Sequence, residues 1–430
     1  MTNVVPVVPV RPRLSWLDAL RGLAALTVVY WHMRPLSGIP VPSKAWEFFD
    51  LGKCGVLLFF LISGYIIPMS LERHGDLRKF WISRLFRLYP AFLVATTLML
   101  VLMTAGIAAF PGQLVQHTTV GLLAHGTMMQ GLLGVSNLVA IYWTLSYEMV
   151  FYFVVAGLFA FGLHRHSAWY AAGLAAVALF IGPALPQTLL TSGGDRRTEA
   201  VIGVAIVFVT TIAAFLIGSR RIVIVGAVLS VGVIGVAVVN GGESSGRASW
   251  QSLILLATMF AGTTIYRMQH GQIRILPGAA AIAAVLVAAT AGAWWHLADE
   301  IARQLWVTAV VFPAIVFAAG FLLRGRQMPW VLRKLGELSY SMYLLHLILL
   351  SALKHALPGI VGEPAPVRLL TFAGLLAVLF ALSELVVRFV EKPAQRLGRR
   401  VGERFTSRND RPTAVPPAPR AAPAEAALKG

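Results

Sequence analysis

The chain has 430 residues, 57% of them hydrophobic and 13% charged, with a mean hydropathy of +0.75. No water-soluble fold hides that much apolar surface, so composition excludes a soluble enzyme and points to a polytopic membrane protein. A formal charge of +18 would suggest nucleic acid for a soluble chain, but in a membrane protein lysine and arginine first report topology, and no nucleic-acid partner is expected.

With about 20 apolar residues per crossing, twelve spans are expected, near 16–34, 51–71, 88–109, 138–163, 168–186, 199–217, 221–239, 250–266, 277–297, 304–323, 337–357 and 367–390. The expected fold class is therefore all-α, a polytopic transmembrane helical bundle. Loops on the side of the N-terminus hold the larger share of lysine and arginine, Arg84, Arg87, Arg220 and Arg333 among them. The positive-inside rule then puts both termini in the cytoplasm.

Residues 1–13 read as a cytoplasmic N-terminal segment. They are not expected to lead into a cleavable signal, because Asp18 and Arg21 interrupt the apolar run that follows. The transmembrane domain is expected over 14–396. Residues 397–430, basic and rich in Pro and Ala, read as a disordered cytoplasmic tail. The single cysteine, Cys54, excludes an internal disulfide and any multi-cysteine metal site, and no metal is expected.

An ionisable group in hydrocarbon costs roughly 3 kcal/mol or more, so each one inside a span is a functional candidate. The first span, "LDALRGLAALTVVYWH", holds three. Arg21 and His32 lie eleven positions apart, which at about 100° per residue returns to nearly one face, displaced by roughly 16 Å along the axis. Asp18 lies one turn from Arg21 and can pair with it, as a plain helix-anchoring bridge would.

The second span contains "FFLISGY", where Ser63 and Gly64 make a small notch that suits close helix packing. Before the third span runs "RKFWISRLFRLYP", with Arg84 and Arg87 on one helical face and Pro90 placed to open the span. Two guanidiniums at a membrane surface suit phosphates or anionic lipid equally. The fourth span contains "WTLSYE", with Trp143 at its start and Glu148 about ten residues in from the outer end, a carboxylate that needs a cation, a proton or a polar ligand.

In the eleventh span, "GELSYSMYLLH" sets Ser339, Tyr343 and His346 along one polar edge, which interhelical hydrogen bonding alone also explains. "FVEKP" places Glu391 at the end of the last span, with Pro393 terminating it. His164 and His166 flank Arg165 in a short loop and read as solvated.

Taken in order, these six motifs resemble the integral-membrane acyltransferase 3 family, which O-acylates sugars and other hydroxylated molecules. The likeness runs over about 14–165 and 328–396. Ala19 stands where members usually carry glycine, twelve spans exceed the usual ten or so, and no extracytoplasmic hydrolase-like domain is visible.

The resemblance implies acyl-CoA, with acetyl-CoA the first choice, as the acyl donor and no permanently bound cofactor. It implies a carbohydrate or glycolipid acceptor, membrane lipids as surroundings, and a bacterial inner membrane as the location. In that reading His32 is the base, Glu148 orients or charge-balances it, and Asp18 supports Arg21. Arg21, Arg84 and Arg87 hold the donor, while Ser63, Trp143, Ser339, Tyr343 and His346 shape the acceptor cavity. A proton-coupled transporter using Glu148 and His346, and a lipid-binding scaffold, are the competing classes.

Overall fold

In lipid every backbone N–H and C=O must be satisfied within the chain, which leaves helices as the economical way to cross. The computed structural model describes residues 14–38, 48–112, 118–192, 194–240 and 248–407, and it is all-α, with no strand among the described residues. The helices are α1 (Ser15–Met33), α2 (Leu51–His74), α3 (Leu77–Thr104), the short α4 (Thr118–Gly126), α5 (Trp143–Ala160), α6 (Ser167–Phe180) and α7 (Gly194–Ile217). They continue with α8 (Arg220–Val239), α9 (Ser249–Gln269), α10 (Ile275–His296), α11 (Glu300–Leu322), α12 (Trp330–Ala356), α13 (Ala365–Val386) and α14 (Lys392–Ser407).

Every expected span has a helix, but among the described residues nine helical stretches are long and apolar enough to cross a membrane, not twelve. The other three are α1, α6 and α9, and each departs for its own reason. Helix α1 carries Asp18, Arg21 and His32, and α6 has 14 residues, about 21 Å of helix against a core of about 30 Å. Helix α9 is buried without a break from Ser252 to Thr264. Enclosed by other helices, it has no need of a lipid-compatible surface.

Small residues set the closest approaches, as expected where apolar helices meet without a hydrophobic drive between them. Helices α1 and α12 run side by side in the same direction, and a methyl built on Gly336 would overlap the Asp18 carbonyl. A methyl on Gly64 of α2 would likewise overlap the Met259 carbonyl of α9, where Thr263 Oγ1 donates to the Gly64 carbonyl at 2.8 Å. The Ser63–Gly64 notch is thus split in role: the glycine admits α9, and the serine faces elsewhere.

Three boundaries differ from expectation. Helix α3 begins at Leu77, because the Asp76 side chain accepts from the Arg78 and Lys79 N–H groups, and Pro90 lies inside the helix and does not open it. The "WTLSYE" helix begins at Trp143 after a 3-10 turn, so Glu148 stands in its second turn, about 8 Å from its start. The irregular chain before it is buried at Met128, Met129, Gln130, Leu132 and Leu133, which is where non-helical backbone is tolerated at membrane depth.

Pro393 does not end the last span either. The chain passes through a π-helical turn at Val387–Glu391 and continues as α14 to Ser407. Residues 397–407, expected within a disordered tail, are therefore helical. The remainder of that tail and the 1–13 segment lie outside the described residues.

Candidate active site

A cavity of ≈ 80 Å³ opens among α1, α2, α3, α5 and α12. Its polar lining is Arg21 from α1, Ser63 from α2, Arg87 from α3, Thr144 and Glu148 from α5, and Ser339, Tyr340 and Tyr343 from α12. Val56, Phe59, Phe60, Leu88 and Leu145 supply the apolar wall. Five helices each contribute a polar group that hydrocarbon would reject, and the bundle turns all of them inward onto one space.

Charge balance explains how two arginines persist there. Arg21 lies within the fields of Arg87, Asp18, Glu148 and Glu391. The Asp18 contact is long, 4.0 Å between Oδ1 and Arg21 Nη1, and both side chains are partly exposed. Asp18 does not line the cavity, so it trims the field at the foot of α1. Glu148 Oε1 accepts from the Tyr152 hydroxyl at 2.5 Å, leaving the other carboxylate oxygen to the cavity.

Arg84 and Arg87 share a helical face, as their spacing requires, but they are not a surface pair. Arg84 is 5% exposed, its guanidinium carbon lying 5.4 Å from the Phe80 ring centre and 5.5 Å from that of Tyr152. Arg87, one turn nearer the membrane interior, is the one that reaches the cavity. The reason is depth: α3 starts eleven residues before the expected span, so its whole first half is packed against α5 and α14 and not laid on the bilayer surface.

At the far end of α1, two imidazoles meet. His32 Nδ1 lies 2.9 Å from the Val28 carbonyl and 3.3 Å from Nε2 of His346, which is fully buried. His346 Nδ1 in turn lies 2.7 Å from the Tyr343 carbonyl. Carbonyls only accept, so both rings carry their proton on Nδ1 when neutral. His346 Nε2 is then an acceptor toward His32 Nδ1–H, and His32 Nε2 is left as a free lone pair.

The structure sets Glu148 apart from His32: the imidazole within reach of His32 is His346, and Glu148 lines the arginine cavity one stage away. Between the two regions stands Tyr343. Its hydroxyl lies 2.8 Å from Thr144 Oγ1 and donates to the Ile141 carbonyl at 3.2 Å, and its ring lies 5.8 Å from Phe59 and 6.0 Å from His346. The cavity lining stops at this residue, and His32 is not part of it.

The other expected site residues divide. Ser63, Ser339 and Tyr343 do line the cavity, with Ser339 Oγ donating to the Gly336 carbonyl at 2.8 Å. Trp143 does not; it packs edge-on against Phe60 and Tyr147 behind the wall. Cys54 is buried, as a small core residue, with Sγ 3.9 Å from the Thr308 carbonyl. His166 is exposed, whereas His164 is half-buried beside Arg267, and no group of metal-binding side chains occurs among the described residues.

One buried carboxylate near the cavity was missed. Glu391, read as a helix terminus, is 6% exposed, accepts from the Ser341 hydroxyl at 2.5 Å and lies within the fields of Arg87 and Arg21. The π-turn that carries it widens the helix by one residue and so turns the carboxylate inward; such turns gather at functional sites. The readable signal was Ser341, whose hydroxyl on the inner face of α12 needed an acceptor.

A cavity holding arginines and a carboxylate, with a pair of imidazoles beyond Tyr343, offers the kinds of group that acyl transfer can use. The comparisons agree: an acyltransferase domain model of the acyltransferase 3 family matches residues 14–384, so the chain belongs to that family and is an acyltransferase. It is 25% identical over 408 residues to Acyltransferase MdmB of Streptomyces mycarofaciens, covering 90% of this chain and 93% of that one. It is 30% identical over 178 residues to Nodulation protein 10 of Rhizobium leguminosarum bv. viciae, covering 38% of this chain and 47% of the relative. A putative O-acetyltransferase of Staphylococcus aureus is 38% identical over 84 residues, 18% of this chain and 12% of that protein. The chain thus spans about half of the nodulation protein and nearly all of MdmB. No solved structure matches.

Proposed function

We propose that the protein moves an acyl group, acetyl in the first instance, from acyl-CoA to a hydroxyl of a carbohydrate or glycan-like acceptor at the bacterial inner membrane. Direct transfer needs a base for the hydroxyl proton, donors for the oxyanion and a grip on the donor. The acceptor oxygen attacks the thioester carbonyl while His32 Nε2 takes its proton. The tetrahedral oxyanion then collapses, the C–S bond breaks, and the imidazolium returns the proton to the departing sulfur as free CoA thiol. His346 holds His32 in the tautomer that leaves Nε2 open, and Arg87 and Arg21, balanced by Glu148 and Glu391, attract the phosphates and carbonyls of the donor.

The observation that carries this reading is the fixing of His32 Nδ1–H by two acceptors. A base whose open nitrogen is settled in advance needs no reorganisation when the hydroxyl arrives. Both termini lie in the cytoplasm in this reading, so the donor enters at the Asp18 end. The roughly 16 Å along α1 from Arg21 to His32 is a length that the extended pantetheine arm spans, and Tyr343 must turn aside to let it pass. The relatives named as O-acetyltransferases support the acetyl group and the oxygen acceptor.

Mass spectrometry of envelope glycans and hydroxylated small molecules from a deletion strain tests the function. Loss of one acetyl-mass increment, restored by the wild-type gene and not by His32→Ala, is the expected result. An unchanged glycan and metabolite profile contradicts it. Single-turnover trapping with radiolabelled acetyl-CoA and no acceptor separates direct transfer from an acyl-histidine route: stable label on His32 overturns the simple base.

A further inference from the structure

Helix α14 follows the last span through the π-turn, and the junction is fixed at the membrane edge by ion pairs. Lys392 Nζ lies 2.5 Å from Glu337, and Lys334 Nζ lies 3.3 Å from Glu337 and 2.5 Å from Glu384. One face of α14 is occupied, with Gly398 buried against Phe86 of α3. The rest of its circumference is amphipathic. Leu397, Val401 and Phe405, four residues apart, form one edge, with Leu397 and Phe405 each 52% exposed.

That apolar edge continues the lipid-facing side of α13 and the π-turn, where Leu370, Val378, Leu385 and Phe389 are exposed in turn. Beside it runs a second edge of exposed arginines, Arg396, Arg399 and Arg400, and Glu403 is the lone acidic residue of the helix. A helix that continues a span, with an apolar strip following the lipid face and a basic strip alongside, passes through the headgroup layer as it leaves the bilayer. Clustered basic residues directly after a span match the phosphates of anionic lipids.

We infer that α14, leaving the bilayer as the continuation of α13, carries Leu397 at the acyl boundary and Arg396, Arg399 and Arg400 bound to anionic phospholipid headgroups. The partner is the anionic lipid of that leaflet. Each arginine near such a surface strengthens binding about fivefold, so three together give on the order of a hundredfold.

The test uses the full purified chain in micelles doped with phosphatidylglycerol or phosphatidylcholine, with retained lipid counted by native mass spectrometry. The combined variant R396Q/R399Q/R400Q, whose exposed side chains leave the bundle intact by thermal melting, should lose phosphatidylglycerol affinity on the order of a hundredfold and leave phosphatidylcholine unchanged. A spin label at L397C in a C54A background should be shielded from aqueous relaxation agents in phosphatidylglycerol liposomes. Undiminished phosphatidylglycerol retention by the variant, or a water-exposed label, overturns the inference. So does displacement of the retained lipid by saturating CoA, which would assign these arginines to the soluble donor.

Discussion

Replacing His346 separates the two imidazoles. In the proposed mechanism His32 is the base, and its loss should cost roughly a hundred- to ten-thousandfold in kcat. His346 supplies only the longer of the two contacts to Nδ1–H, 3.3 Å against 2.9 Å for Val28. Its removal forfeits one neutral hydrogen bond, about 1 kcal/mol, or roughly fivefold in kcat. Because His346 is fully buried, His346→Ala also leaves a cavity costing a few kcal/mol of stability, so turnover must be expressed per folded molecule, counted by thermal melting. His346→Gln keeps an acceptor within reach of His32 and should recover most of the loss. The assay is steady-state release of CoA thiol from acetyl-CoA by the full chain in proteoliposomes supplied with acceptor. If folded His346→Ala falls as far as His32→Ala, the assignment of base and orienting residue is wrong.

Arg87→Ala should raise the KM for acyl-CoA roughly ten- to hundredfold, the range for losing one charge-assisted contact, with a smaller change in kcat. Arg84→Ala should chiefly lower the melting temperature and expression, because its guanidinium is enclosed by Phe80 and Tyr152 and touches no cavity space. Gly336→Ala should destabilise by about 1–3 kcal/mol or more, read as a lower melting temperature in detergent, since the added methyl meets the Asp18 carbonyl. His164, outside the spans, is pushed down to about 4 by burial and then by the nearby Arg267 and Arg165. The unfolded chain takes up this proton near pH 6.5 and the folded chain only near 4, so the stabilising contribution is full above about 6.5 and is lost as pH falls toward 4. The melting temperature of wild type should therefore drop more steeply over that interval than that of His164→Gln.

The sequence carried the bundle and most of the cavity because charges inside hydrocarbon announce themselves. Arg21, Glu148 and Tyr343 were all legible as polar residues on apolar helices, and all three line one space together with Arg87, which had read as part of a surface pair. What it did not carry was pairing between distant helices. The contact of His32 with His346 joins residues 314 positions apart, and nothing in either helix says which neighbour each imidazole faces.

Depth along a helix was equally hidden. Asp76 starts α3 early and so sinks Arg84 into the bundle, while the same motif on a shorter helix would have left it at the surface. Glu391 was misread because Pro393 normally marks a helix end; the π-turn lets the helix pass that point, and turns a terminal acid into a buried counter-charge.

The most direct measurement follows radiolabelled acetyl from acetyl-CoA in proteoliposomes holding the full chain and a hydroxylated acceptor. The account predicts label in an ester of the acceptor, one CoA thiol released per ester formed, and near-abolition of both in folded His32→Ala. Label crossing the membrane with no ester formed, or ester formation undiminished in that variant, would contradict it.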